Sequence, residues 1–212
     1  MRTSHESGTT TAQIALGASF LVAGYFLVFD AGEYLRSFTA AVYGRFWPVR
    51  NWMFVHIAAG ALALTTGTLQ FCLAFLRRTS AWHRWAGRVY VSAVLISCLA
   101  SLAVLRNGSV IGATWVVLLV FLSASALLFT ALGWVAARRR QWHRHAAYML
   151  RSYMAMMVFA WFRLTMELPV LRDVPLGTRA TTLLALTMLI TFSGTELFLR
   201  LRTSWNPDAA PH

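Results

Sequence analysis

The chain has 212 residues, 58% hydrophobic and 12% charged, with a mean hydropathy of +0.58. A soluble domain carries roughly a quarter charged residues, so the composition excludes one and predicts an all-α integral membrane protein. The formal charge of +12 is carried entirely by arginine on the basic side. The arginines gather where apolar runs end, which reads as membrane topology and excludes a nucleic-acid partner.

Runs near the roughly 20 residues needed to cross hydrocarbon lie at about 12–30, 52–76, 88–105, 110–136, 146–168 and 180–199. Six transmembrane helices leave little chain over, so 1–212 is expected to be one membrane domain. The first run follows a polar leader, Met1 to Thr11, that carries only Arg2. It is longer than a signal-peptide core and reads as a retained anchor. Residues 31–51 combine Phe38, Tyr43, Phe46 and Trp47 with Arg36, Arg45 and Arg50. That mixture predicts a short helix lying in the interface, placed to cover His56 as a lid.

In the second span His56, Gly60, Ala63, Gly67 and Gln70 recur at helical steps of three and four, which puts a small or polar stripe on one face. The third span repeats the pattern with His83, Gly87, Tyr90, Val94, Ser97 and Ser101, and the fourth with Gly112, Ser123, Ala126, Thr130 and Gly133. Spans two to five are therefore expected to form a four-helix core, flanked by the first and sixth. Cys72 and Cys98 read as two small buried side chains, with no zinc spacing around them.

The tripeptide Trp-His-Arg occurs twice, at Trp82-His83-Arg84 and Trp142-His143-Arg144. Arg77 and Arg78 precede the first copy, and Arg138, Arg139 and Arg140 the second. The repeat makes spans two and three, and four and five, two related hairpins. With Arg200 and Arg202 after the sixth span, these loops share one side. The positive-inside rule makes that side the cytoplasmic face of a bacterial-type inner membrane, with both termini cytoplasmic.

Tryptophan and arginine at such a boundary have a sufficient explanation as interfacial anchors, but a repeated histidine calls for more. His83 and His143, at like depth on related hairpins, are the expected axial ligands of a b-type haem iron. Arg84, Arg88, Arg144 and Arg151 are then candidates for its propionates. The fifth span carries Arg151, Arg163 and Glu167. Arginine inside a span must pair, snorkel or face a polar cavity, and Arg163 with Glu167, one turn apart, reads as an interfacial ion pair. His56, Arg163 and Glu167 form a second, catalytic candidate set at the opposite depth. Glu196 has Arg200 one turn on, which reads as a helix-end pair.

His56, Gly60, Gln70-Phe71, His83-Arg84, Gly87-Arg88, Tyr90, His143-Arg144, Met149, Arg151, Ser152 and Arg163 together resemble a prokaryotic family of small polytopic membrane proteins catalogued as a domain of unknown function. The resemblance covers roughly residues 50–170 and implies a fold and topology but no agreed activity; the family pattern has a bulky residue where His145 stands here. A looser similarity is to the transmembrane cytochrome b and ferric-reductase superfamily, from which the chain departs in lacking stacked histidine pairs at two depths.

Three function classes follow. One is a haem b redox protein linked to a quinone or partner reductase. Another is a membrane-embedded enzyme of isomerase or cyclase type on a lipophilic intermediate, with His56, Asp30, Glu167 or Glu196 as acid or base. The last is a small-molecule carrier or accessory subunit, with Arg151 and Arg163 lining a polar path. The zinc-peptidase, phosphate-loop and nucleophile-elbow motifs do not occur in the sequence.

Overall fold

A computed structural model of the protein describes residues 17–75, 81–106, 112–169 and 173–204. The leader, Arg77, Arg78, Arg172, His5 and His212 lie outside the described residues. Helix α1 runs over Gly17–Arg36, with a π-helical stretch at Phe26–Ala31. A short helix α2, Ala40–Tyr43, continues as the 3-10 turn Gly44–Val49. The long helices follow: α3 Arg50–Phe75, α4 Ala81–Arg106, α5 Ala113–Arg138, α6 Trp142–Met166 and α7 Leu176–Ser204. No strand occurs among the described residues.

Five of these helical stretches are long and apolar enough to cross a membrane, those containing α1, α3, α4, α5 and α7. Helix α6 is not among them, because it carries Arg144, Arg151 and Arg163. Its 25 residues nevertheless span about 37 Å, and it packs between α5 and α7.

The apolar runs locate the spans but not the helix ends. Helix α4 begins at Ala81 rather than near 88, so His83 and Arg84 lie in its first turn and not in a loop. Helix α1 continues to Arg36 rather than stopping at 30. Backbone hydrogen bonding carries a helix past the last apolar residue into the headgroup zone, where arginine and tryptophan are favoured. In α1 the charge that marked its expected end, Asp30, is buried and paired. The interfacial segment is correspondingly shorter. Its Phe38, Tyr43 and Trp47 rings pack on one another, Phe38 stacks edge-on against Phe54 of α3, and Tyr43 donates to the Tyr34 carbonyl at 3.0 Å.

The two expected hairpins form: α3 packs most extensively on α4, and α5 on α6. Helix α7 lies on α6 and α5, and α1 on α3 and α6. Between α5 and α6 the chain reverses through a Schellman turn. Gln141 N–H donates to the Ala136 carbonyl at 2.9 Å and Arg140 N–H to that of Ala137 at 3.1 Å, with Arg140 at φ +58°. Two hydrogen bonds recover the carbonyls that a helix end leaves unmet, and three residues suffice to bring Trp142 into α6.

The stripe read from α3 faces its neighbours as the period requires. Gly67 is the point of closest approach: a Cβ there would lie 2.6 Å from Tyr153 Cδ2 and 3.0 Å from Tyr90 Cε2. Both rings are fully buried and tethered, Tyr153 by a 2.7 Å bond to Thr68 Oγ1 and Tyr90 by a 2.8 Å bond to Ser152 Oγ. Thr130 Oγ1 donates to the Ala126 carbonyl at 2.7 Å and lies 2.7 Å from Ser152 Oγ. A hydroxyl has one proton, so Thr130 must accept from Ser152 and Ser152 from Tyr90. The result is a one-way chain across α4, α6 and α5, and its members are each within 4% of full burial.

Because neither tyrosine can swing aside without giving up its hydrogen bond, Gly67→Ala is expected to destabilise the bundle by about 1–3 kcal/mol. Gly24→Ala, where nothing lies within 4 Å of the new atom, is expected to be neutral. Thermal melts of the two variants in one detergent check this, and equal melting temperatures would count against the packing described.

Candidate functional site

The end of the bundle bearing the Trp-His-Arg repeats holds three histidines with different fates. His83 is half-buried, and its Nδ1 is buried with no hydrogen-bond partner among the described residues. Gln70 Nε2, from the α3 stripe, donates to the His83 carbonyl at 3.3 Å. His143 is exposed. His145 turns inward, where its Nδ1 meets the Gly133 carbonyl at 2.9 Å, and it lies within electrostatic reach of His83.

Residues two apart on a helix point about 200° from each other, so an inward His145 requires an outward His143. Axial ligation of a haem by two imidazoles needs both rings turned to the interior. The pair His83 and His143 therefore does not fit a b-type haem. Arg84, Arg88 and Arg144 are all exposed at this end and do not converge on an interior ring. The repeat marks equivalent places in the chain but not equivalent environments.

At the opposite end the charged residues find partners that differ from those their spacing offered. Arg163 does not pair with Glu167. Its Nε and Nη2 both donate to Asp30 Oδ1 of α1, at 2.8 and 2.5 Å, and Asp30 is 7% exposed. Arg163 thus leaves the second carboxylate oxygen, Oδ2, unengaged. Glu167 accepts from Tyr25 Oη of α1 at 3.0 Å. Two carboxylates, an arginine and a phenol from α1 and α6 form one cluster. Phe159 and Phe162 lie beside it on α6, with Trp115 of α5 stacked on Phe162.

The π-helical stretch makes this cluster possible. In an α-helix residues five apart point well away from each other, whereas i→i+5 bonding brings them close to one face. Tyr25 and Asp30 are five apart across Phe26–Ala31, and both face α6. Gly32 accommodates the bulge, since a Cβ there would lie 3.0 Å from the Leu27 carbonyl oxygen. Arg36 Nη2 donates to the Val28 carbonyl at 3.2 Å. No helical-period argument finds Tyr25; an acidic residue inside an apolar run was the available signal.

His56 does not join Arg163. Its Nδ1 lies 2.9 Å from the Ser97 carbonyl of α4, and Ser97 Oγ donates back to the His56 carbonyl at 3.1 Å. A carbonyl only accepts, so Nδ1 carries a proton in this contact. His56 is a staple between α3 and α4. Arg151, expected to snorkel or bind a cofactor, instead makes a two-point pair with Glu196 of α7: Nε to Oε1 at 2.5 Å and Nη2 to Oε2 at 2.8 Å.

A family model described as a predicted membrane protein, DUF2306, matches residues 53–199. No curated protein and no solved structure matches the chain. Arg163 and Glu167 lie within the matched segment, and Tyr25 and Asp30 precede it.

Removing one member of a buried ion pair strands the other, whereas removing both does not. In a double-mutant cycle on Asp30→Ala and Arg163→Ala, the double variant is expected to be more stable than the sum of the singles by about 1–3 kcal/mol. Unfolding in mixed micelles measures it, and additivity would exclude the coupling.

Proposed function

The chain belongs to the DUF2306 family of predicted membrane proteins, and with that as premise we propose that it is a membrane-embedded acid–base enzyme acting on a lipophilic substrate. The observation that carries the reading is the meeting of Asp30, Arg163, Tyr25 and Glu167 at the end of the bundle away from the Trp-His-Arg repeats.

A buried carboxylate in an apolar bundle is costly and is held here by a single arginine. Arg163 Nη1 is not used in its bonds to Asp30, so it is a donor for the electron-rich oxygen of a substrate entering from lipid. Asp30 Oδ2 accepts a proton from a neighbouring carbon or hydroxyl and returns it elsewhere on the same molecule. An isomerisation or ring closure of this kind leaves the enzyme's proton inventory unchanged. Tyr25 and Glu167 supply a second donor–acceptor pair beside the first. Placed in this way, the groups support proton transfer better than electron transfer, for which the histidines at the other end are poorly arranged. The arginine-rich end is read as cytoplasmic, with both termini there, in an inner membrane.

Lipophilic extracts of cells expressing the protein are expected to contain a species altered relative to vector controls. Glu167→Gln is expected to reduce that conversion by about 100-fold at an expression level and melting temperature close to wild type, and Asp30→Asn by at least as much, with a lowered melting temperature because it strands Arg163. Conversion retained in Asp30→Asn, or none in wild type, would sink the proposal. Protein purified from haem-replete cells is expected to be colourless; a Soret band abolished by His83→Ala would restore the redox reading. A fluorescent-protein fusion at the C-terminus is expected to fluoresce, as only a cytoplasmic one does efficiently.

A further inference from the structure

Arg151 lies well inside the membrane. Counting from Trp142 at the start of α6, it is about 13 Å along the helix axis. Its pair with Glu196 is incompletely covered, with side-chain exposures of 20% for Arg151 and 44% for Glu196. An ion pair open to hydrocarbon is expensive, so a polar group from outside the chain is the natural complement to it.

The residues between this pair and the membrane surface are polar in register. On α6, Arg144, Tyr148 and Arg151 follow steps of four and three and share one face. On α7, Glu196 and Arg200 are one turn apart, and α6 and α7 pack side by side. Arg144 and Arg200 are exposed. The Arg151 guanidinium sits 5.8 Å from the Tyr148 ring centroid and 5.9 Å from that of Phe129 of α5. The seam between α6 and α7 therefore presents a line of polar side chains leading from the arginine-rich surface to Arg151. It carries three arginines and one glutamate, with the Tyr148 and Phe129 rings beside Arg151.

We propose that this α6–α7 seam binds the headgroup of an anionic phospholipid, with Arg144 and Arg200 holding the phosphate and the acyl chains lying along α7 below it. Charge selects the occupant. The predominance of arginine matches the single negative charge of a phosphodiester, and a zwitterionic headgroup would return a cation to the same arginines. Arg144 and Arg200 are exposed on the outside of the bundle, so a lipid reaches them without leaving the membrane. Glu196 holds Arg151 in place at the floor and limits how deep the headgroup descends. The site is separate from the Asp30–Arg163 cluster, at the other end of the bundle.

The test uses the full-length protein in a neutral detergent with added phosphatidylglycerol or phosphatidylcholine. Phosphatidylglycerol is expected to raise the melting temperature by several degrees more than phosphatidylcholine. The Arg144→Gln/Arg200→Gln variant is expected to lose at least half of that difference. Arg84→Gln/Arg88→Gln, on α4 at the same end, is expected to keep it. Loss of the difference in both variants alike would reduce the effect to diffuse surface charge and overturn the site.

Native mass spectrometry of the wild-type protein gives an answer independent of any variant's folding. Retained phosphatidylglycerol adducts without phosphatidylcholine adducts are expected, and equal retention would overturn the proposal. So would a matching thermal shift from inorganic phosphate alone, or a dimer that dissociates on Arg144→Gln, since a second copy would then be the occupant.

Discussion

An arginine inside a membrane-spanning helix has to pair, snorkel or face a polar cavity, and α6 carries two that pair. Neither is answered from within the four-helix core. Arg163 reaches Asp30 on α1, and Arg151 reaches Glu196 on α7. The two flanking helices thus have a defined reason to lie where they do: each neutralises a charge that α6 brings into the membrane. Apolarity alone does not mark α6 as a span; its place in the bundle depends on its neighbours. The cluster proposed for acid–base chemistry and the site proposed for a lipid headgroup are both built on these pairs.

The core works by a different rule. Lipid tails are as apolar as leucine, so helices in a membrane gain little by hiding apolar surface from lipid. They associate through close packing and through hydrogen bonds worth on average about 0.6 kcal/mol each. Gly67 lets two buried tyrosines close on α3, and their hydroxyls are met by Thr68 and Ser152. The one-way chain from Tyr90 to Ala126 ties three helices in a single arrangement. The His56–Ser97 bonds and the Gln70–His83 bond close the two ends of the first hairpin. A rigid core of this kind keeps α6 in register, so that its arginines meet their partners.

Much of the core was legible because it obeys a period. His56, Gly60, Gly67 and Gln70 fall on one face of an ideal helix, and each contacts a neighbouring helix in the bundle. The pairing of the long core helices into two hairpins was legible from the placing of Trp-His-Arg. Its chemistry was not, since the inward-facing histidine of the second hairpin is His145, two residues beyond the repeated one. Side-chain direction changes by about 100° per residue, so a repeat aligned in letters can present opposite faces once the two hairpins pack differently.

The charged residues show the same division. Spacing offered Arg163 with Glu167 and Glu196 with Arg200, each one turn apart, because local pairs are what a one-dimensional pattern can display. The bundle paired Arg163 with Asp30, 133 positions away, and Arg151 with Glu196, 45 away. A partner from another helix covers more of a charge than a neighbour on the same helix. The π-helical turn that aligned Tyr25 with Asp30 departs from the period that sequence reading assumes. Sequence by itself determined the class, the spans other than α6, the hairpins and the packing face of α3, all of which follow from hydropathy and helical repeat. Only the tertiary structure decided which charges meet, because electrostatic partners are chosen by distance through space and not by distance along the chain.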